Sequence, residues 1–353
     1  MIDDWLRRKD VVVCAGSGGV GKTTTSAAIA LGMAARGKKV AVLTIDPARR
    51  LANSLGLPEL GNEERRVDVD VEGELWAMML DAKRTFDDLV ELHAPDERTR
   101  DAVLSNRIYQ QLSGAVAGSQ EYMAMEKLHE LHQQGRYDLL VLDTPPSRNA
   151  LDFLDAPRRL STFIDSRSLQ FFRAPGKLGL KLVGRGTGML FSVLRRATGV
   201  DMLQDLSEFF RSFGDMADGF RERAERVNAL LASDASAFVL VTSPRDAAID
   251  EALFFHRRLV EADLPFAGAI ANRVHVAGGP ADPDELAELL GNDLARKVLR
   301  TYAAERELAA RDRRNLDELR ERLHRRPLIE VPLLDGDVHD LPGLARMNEH
   351  LFG

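Results

Sequence analysis

The chain has 353 residues, of which 44% are apolar and 29% charged, and this balance excludes a disordered chain, a collagen and a coiled-coil rod. Its formal net charge of −7 argues against nucleic acid as a partner, and the one cysteine, Cys14, excludes an internal disulfide or a thiolate metal cluster. No apolar run approaches the roughly 18 residues that span a bilayer, and the N-terminus has no apolar signal core. We therefore expect a cytoplasmic protein.

Short apolar runs separated by helical patterns recur along the chain. Most of these runs are apolar at every position, which is typical of a strand covered on both faces. Their alternation with helices predicts an α/β fold with a doubly wound, mainly parallel sheet of about seven strands. The predicted strands are Val11–Ala15, Val40–Ile45, Glu74–Leu80, Leu139–Asp143, Ala237–Val241, Phe266–Ala271 and Leu328–Val331.

A phosphate-binding loop follows the first predicted strand. The residues are Gly16-Ser17-Gly18-Gly19-Val20-Gly21-Lys22-Thr23, a full match to G-x-x-x-x-G-K-[ST], and an Ala-rich helix predicted over Lys22–Arg36 comes next. Backbone N–H groups of such a loop surround phosphates at the positive end of the helix dipole. We expect Lys22, exposed on the loop, to bind the β- and γ-phosphates, and the Thr23 hydroxyl to ligate Mg²⁺. The loop therefore predicts binding of a nucleoside triphosphate.

Two carboxylates are predicted at the same edge of the sheet, where doubly wound folds bind ligands. Asp143 ends the apolar strand Leu139–Asp143 and is predicted to hold Mg²⁺ directly or through a water molecule. Asp46 ends the second strand and can orient the attacking water for in-line displacement. The alternative for Asp46 is an N-cap of the helix after Pro47.

Two intervals are too long to be simple crossovers. Residues 83–136 are predicted to form three helices, and residues 150–235 contain no convincing strand. We expect both to form a helical subdomain inserted into one P-loop domain that spans residues 1–353. Within the second interval, residues 167–199 carry seven basic residues and no acidic residue. That stretch is either a mobile solvated loop or an adaptable surface for a partner, a substrate or a membrane face.

Three motifs resemble the ArsA family of deviant-Walker ATPases, which includes the arsenite-pump ATPase and the guided-entry factor for tail-anchored membrane proteins. The motifs are Gly18–Thr24, Thr44–Ala48 and Asp143–Pro146. Later strand ends extend the resemblance along nearly the whole chain, at Val241-Thr242-Ser243-Pro244, Ile270-Ala271-Asn272-Arg273 and Val331-Pro332-Leu333-Leu334.

The resemblance implies a fold, an activity and a set of roles. It implies hydrolysis of ATP with Mg²⁺ by a dimer whose helical subdomains move during the cycle. Lys22 and Asp46 would be the catalytic residues, and Thr23 and Asp143 the metal ligands. Asn272 would read the adenine edge, with Pro332 and Leu333 beside the base. The nucleotide contacts are thus expected at Gly18, Gly19, Val20, Gly21, Lys22, Thr23, Thr24, Asn272, Pro332 and Leu333.

The chain also departs from the family pattern. Ser17 stands where the family has a lysine that neutralises charge in the partner's active site. Three consequences are open: hydrolysis is slow, another cation substitutes for the lysine, or the partner is a paralogue. The nearest substitute in the sequence is Arg148. Because paired cysteines are missing, we expect neither a thiolate arsenite site nor an intersubunit zinc clamp.

These residues favour an ATP-hydrolysing dimeric switch whose helical subdomain handles a client, such as an apolar protein segment or a membrane protein. The dimer is either a homodimer or a heterodimer with a paralogue. One alternative is a nucleotide-binding regulatory or structural subunit with low turnover, which Ser17 keeps open. A second is a membrane-positioning or partitioning ATPase, against which the long helical insertion argues.

Overall fold

A computed structural model describes residues 1–46, 49–112, 119–144, 219–279 and 281–353. Eight strands form one sheet in the order β3-β4-β2-β5-β1-β6-β7-β8. All neighbouring strands are parallel except β3 and β4. The strands are β1 Val11–Ala15, β2 Lys39–Thr44, β3 Arg65–Arg66, β4 Glu74–Met79, β5 Leu139–Asp143, β6 Ser236–Thr242, β7 Phe266–Val274 and β8 Leu328–Pro332.

The predicted fold class is confirmed, and all seven predicted strands are present. The eighth, β3, has only two residues, and it pairs antiparallel with β4 through Arg65–Ala77 and Arg66–Trp76. Two exposed arginines carry no apolar signal, so sequence patterning could not reveal this edge strand. The prediction was also short at β7, which continues past Ala271 to Val274.

Helices connect the strands. The prediction of three helices over residues 83–136 was wrong, because the described part of this interval contains four. Two of them begin at their own capping residues, since Asp96 accepts a backbone N–H bond from Thr99 and Asn106 accepts one from Tyr109. The helices are α1 Ile2–Leu6, α2 Lys22–Ala34, α3 Arg50–Ser54, α4 Ala82–His93, α5 Glu97–Leu104, α6 Arg107–Leu112, α7 Ser119–Gln134, α8 with described residues 219–232, α9 Asp246–Glu261, α10 Pro283–Leu290, α11 Asn292–Arg322 and α12 Leu341–Phe352.

The described residues divide into two compact units, one drawn from residues 1–79, 134–144 and 231–353 and one from residues 80–133 and 219–230. The first contains the sheet. The second is helical in its described parts, where Phe86 stacks on Phe220 and a buried ion pair joins Glu126 to Arg223. The stretch 167–199 lies outside the described residues. No helix in the described ranges combines the length and apolarity needed to cross a membrane.

Helix α2 is buried on nearly all sides because it lies between the sheet and α12. Its contact with α12 is close at Gly32, where a Cβ atom would lie 2.1 Å from Cε2 of Phe352. The Arg36 guanidinium lies 4.0 Å from the centroid of the same ring. This packing fixes the helix whose N-terminus carries the phosphate-binding loop.

We predict that Gly32→Ala destabilises the protein by about 1–2 kcal/mol. The added methyl group must displace the Phe352 ring, and overpacking of this kind outweighs the better helix propensity of alanine. Gly61→Ala is the control, since a Cβ there would meet nothing within 4 Å. Denaturant unfolding of both variants measures the difference, and an equal effect of the two substitutions would contradict the packing argument.

Candidate functional site

The phosphate-binding loop needs glycine at two positions. At Gly16 a Cβ atom would lie 2.0 Å from the Val241 carbonyl oxygen, so no larger residue fits against β6. Gly21 is the N-cap of α2 with φ of 91°, in the left-handed region, and a Cβ there would lie 2.3 Å from Asn272 Nδ2. The loop is therefore held closely between β6 and the end of β7.

Lys22 lies at the start of α2 with its side chain folded over the loop. Its Nζ donates to the Ser17 carbonyl oxygen at 2.9 Å. The expectation that Lys22 is exposed was wrong, because only 6% of its surface is accessible. Burial lowers its pKa from the usual value, while the carboxylates of Asp143 and Asp46 oppose that shift. Lys22 thus places its positive charge near both predicted acids.

Asp143 joins the ends of two strands to the phosphate-binding loop. Its Oδ2 accepts hydrogen bonds from Thr23 Oγ1 at 2.7 Å and from Thr44 Oγ1 at 2.9 Å. Sequence reasoning missed Thr44, although it precedes Asp46 by two residues. The signal lies in strand pairing, because Thr44 is the register partner of Asp143 in the parallel pair β2–β5. The sequence predicts both strands but not their order in the sheet.

The chemistry of this cluster fits Mg²⁺. Asp143 Oδ1 is buried and has no hydrogen-bond partner among the described residues, which leaves one carboxylate oxygen available for a cation. Burial raises the pKa of Asp143 to about 6, partly opposed by the two threonine hydroxyls and by Lys22. A carboxylate and a hydroxyl are hard oxygen ligands of the kind that Mg²⁺ prefers.

Asp46 lies at the end of β2, close to this cluster. Its N–H donates to Thr44 Oγ1 at 3.2 Å, and its Oδ2 is 3.6 Å from Nη1 of Arg50. The alternative that Asp46 is an N-cap was wrong, because α3 begins at Arg50 and its N-cap is Arg49. The Asp46 side chain is 15% exposed.

Beside the loop, a cavity of about 310 Å³ brings together the residues predicted to contact the base. Asn272 Nδ2 donates to the Val20 carbonyl oxygen at 2.9 Å, and its Oδ1 accepts from the Arg273 N–H at 3.0 Å. The amide therefore positions the loop, and it retains a second N–H and lone pairs for a ligand. The predicted residues lining the cavity are Gly21, Thr24, Asn272, Pro332 and Leu333.

Two further residues hold the loop and were not predicted. The Arg273 guanidinium donates to the Gly19 carbonyl oxygen at 3.4 Å, from a backbone with φ of 63°. The Thr144 hydroxyl donates to the Cys14 carbonyl oxygen at 2.9 Å and ties the end of β5 to β1. Both residues lie in motifs noted in the sequence, Asp143–Pro146 and Ile270-Ala271-Asn272-Arg273, but the contacts that they make depend on the fold. Arg148, the predicted substitute cation, lies outside the described residues.

Comparison with known proteins decides the family. The family model for anion-transporting ATPases of the ArsA type matches residues 9–353. The chain belongs to the ArsA ATPase family. It is therefore an ATPase, and the resemblance drawn from its motifs is confirmed.

Relatives with related names match over most of the chain. ATPase GET3 of Kluyveromyces lactis is 24% identical over 95% of this chain and 87% of its own length. A protein of Aquifex aeolicus named arsenical pump-driving ATPase 1 is 24% identical over 97% of this chain and 78% of its own. ATPase get3 of Aspergillus terreus is 30% identical over 64% of this chain and 62% of its own.

We predict that Asp143→Asn raises stability when Mg²⁺ is absent. The pKa of Asp143 in the folded protein, about 6, lies above its usual 3.8, so the wild type loses stability as pH rises between these values. The variant has no such ionisation. Above pH 6 the free energy of unfolding of the variant should exceed that of the wild type by about 1–3 kcal/mol, which is the cost of an unpaired buried polar group.

Thermal unfolding from pH 4.5 to 8 in a chelator measures this difference. The excess stability of Asp143→Asn should grow up to about pH 6 and then level off. Added Mg²⁺ with ATP should stabilise the wild type and not the variant. A pH-independent difference, or equal stabilisation of both proteins by Mg²⁺ and ATP, would contradict the assignment.

Proposed function

We propose that the protein is an ATP-hydrolysing switch that works as a dimer and couples its nucleotide state to the handling of an apolar client. The observation that carries this proposal is the cluster of Thr23, Thr44 and Asp143 next to Lys22 at the N-terminus of α2. It combines, at the carboxyl edge of the sheet, the cation, hydroxyl and carboxylate that a nucleoside triphosphatase needs.

In the proposed mechanism, the loop's N–H groups and Lys22 bind the phosphates of ATP, and Asn272, Pro332 and Leu333 contact the base. Thr23 and Asp143 would hold Mg²⁺, which neutralises charge that develops on the phosphates. Asp46 accepts a hydrogen bond from the attacking water and orients it toward the terminal phosphorus. Its place beside the metal cluster supports this role.

We predict that Lys22→Ala and Asp46→Asn separate binding from turnover. Lys22→Ala removes the phosphate-binding charge and should abolish high-affinity binding of Mg²⁺ and ATP in calorimetric titrations. Asp46→Asn should keep binding and lose turnover by roughly 10²-fold or more, the scale of a positioned general base.

The two variants are each other's control, since both remove one charge from the same site. Unchanged affinity in Lys22→Ala would contradict the phosphate-binding assignment. A parallel loss of binding and turnover in Asp46→Asn would make Asp46 a structural residue instead.

The client is proposed to meet a helical subdomain formed by about residues 83–136 and 150–235. The separate helical unit of the described structure supports this division. The name of one relative, an arsenical pump-driving ATPase, agrees with work on a partner protein. We propose the cytoplasm as its location.

The second candidate function is a nucleotide-binding subunit with low turnover that works with a paralogue. The observation that favours it is Ser17, which brings no charge to the loop. Turnover of the isolated chain, compared with turnover after addition of each paralogue, distinguishes the two functions. The membrane-positioning alternative would instead require nucleotide-dependent binding to lipid vesicles.

A surface on α10 and α11 supports the dimer. Helix α10 has no buried residue. Of the ten large apolar side chains that are most exposed in the described chain, five lie within residues 276–298. Apolar exposure of this density is typical of an interaction surface. The five residues are Val276, Leu289, Leu290, Leu294 and Val298.

Charge complementarity favours a second copy of this chain on that surface. Acidic residues crowd α10 and its N-cap, whereas the first turns of α11 carry Arg296, Lys297 and Arg300 beside one acidic residue, Asp293, which pairs with Arg296. A twofold axis that opposes α10 of one copy to α11 of the other would pair these charges around the apolar centre. The acidic residues are Asp282, Asp284, Glu285 and Glu288.

We predict that Leu289→Glu and Leu294→Glu each weaken dimerisation at least tenfold, because a charge would enter the apolar centre of the interface. The control is Val260→Glu, which alters a residue of the same unit that is also exposed, at 62%. Light scattering across a dilution series with Mg²⁺ and ATP measures the dissociation constant. Dimers of wild-type affinity in both leucine variants would place the interface elsewhere.

A further inference from the structure

The phosphate-binding loop supplies a single positive charge. Among residues 16–23 only Lys22 is basic. Transfer of a phosphoryl group spreads negative charge over its oxygens, and P-loop enzymes gain large rate factors from a further cation supplied in cis or in trans. The structure around the loop can therefore be searched for such a cation within the same chain.

Three arginines of the described chain line the two cavities at the site, and their contacts differ. Arg273 lines the cavity beside the loop, and its guanidinium already donates to the Gly19 carbonyl oxygen. Arg49 lines a second cavity of about 230 Å³ together with Thr44 and Asp46, and no residue of the phosphate-binding loop lines that cavity. Arg50 is the third, and it lines the cavity beside the loop together with Gly21 and Thr24.

Arg50 also contacts the proposed water-orienting acid. Its Nη1 lies 3.6 Å from Asp46 Oδ2, while 63% of the arginine side chain is exposed. The positive charge of Arg50 contributes to the lowered pKa of Lys22, so the two cations lie within electrostatic reach of each other. Arg50 is therefore close to the acid, the lysine and the loop.

The contact with Asp46 is one that a phosphate can replace. Ion pairs of exposed arginines contribute little to stability, typically less than about 1 kcal/mol. A guanidinium binds phosphate through two parallel N–H bonds, which are stronger than a single long contact with a carboxylate. A bound triphosphate would therefore compete effectively for Arg50.

We propose that Arg50 is a catalytic residue that exchanges Asp46 for the terminal phosphate of ATP. In the nucleotide-free arrangement the arginine holds the Asp46 carboxylate. When ATP binds, the guanidinium moves to the terminal phosphate and supplies the second positive charge in cis, while the Asp46 carboxylate orients water. This inference rests on the proposed function, because it assumes that Asp46 has that role.

The test compares Arg50→Ala and Arg50→Lys with Arg7→Ala. Arg7 is a matched control, since it is 71% exposed and pairs with Asp3 at 3.7 Å across one helical turn, in α1. Calorimetry measures the dissociation constants of ATP and ADP, each with Mg²⁺, and steady-state assays measure kcat. Thermal unfolding checks that each variant is folded, and Arg50→Lys retains the charge if the alanine variant is unstable.

The proposed exchange predicts that Arg50→Ala lowers kcat at least tenfold and raises the dissociation constant of ATP at least tenfold. The dissociation constant of ADP should change less than twofold. Arg50→Lys should recover part of the ATP affinity but not kcat, because lysine lacks the planar fork. Arg7→Ala should match the wild type in every measurement.

Several results would overturn the proposal. Equal weakening of ATP binding and ADP binding in Arg50→Ala would place Arg50 away from the terminal phosphate. A fall in kcat with an unchanged ratio of the two affinities would make Arg50 a positioning residue for Asp46. Values for Arg50→Ala within twofold of Arg7→Ala would remove it from the site. Failure of the proposed function is distinguishable, because ATP affinity would then survive in Lys22→Ala.

Discussion

The buried carboxylate of Asp143 is the constraint on which the site depends. One of its oxygens accepts hydrogen bonds from Thr23 at the start of α2 and from Thr44 at the end of β2. These bonds fix the spacing between the phosphate-binding loop and two parallel strands. Lys22 and Asp46 acquire their relative positions from that spacing, since Lys22 is adjacent to Thr23 and Asp46 lies two residues after Thr44.

Burial of the Asp143 carboxylate destabilises the folded protein when no ligand is bound. A carboxylate without exposure to water favours its protonated form, and the pKa of Asp143 rises to about 6. Its second oxygen has no partner among the described residues. Functional sites commonly retain such unfavourable features because a ligand relieves them. A divalent cation between Asp143 and Thr23 would supply the missing charge and the missing contact.

The same feature links the site to the switch that we propose. Asp46 is held between the Thr44 hydroxyl and the Arg50 guanidinium. A triphosphate that draws Arg50 and a cation that draws Thr23 and Asp143 would act together on the end of β2 and the start of α3. A displacement at a strand end is transmitted to neighbouring elements of a closely packed core, because side chains there have few alternative positions.

Much of the fold could be predicted, for physical reasons. Strands such as β1 and β5 are buried on both faces, and a continuous apolar run reports that burial directly. The phosphate-binding loop carries a motif in which Gly16 and Gly21 leave no room for a Cβ atom. Sequence reasoning failed where position depends on pairing between distant segments. Thr44, Arg50 and Arg273 gain their roles from strand order and loop contacts, and β3 has no apolar pattern.

A crystal structure with Mn²⁺ in place of Mg²⁺ and a non-hydrolysable ATP analogue tests the central claim most directly. Anomalous scattering locates the metal without reference to a mechanism. The account predicts one strong peak between the terminal phosphates and the side chains of Thr23 and Asp143, at about 2.2 Å from the Thr23 hydroxyl oxygen. A nucleotide bound in the loop with its metal away from both side chains would contradict it.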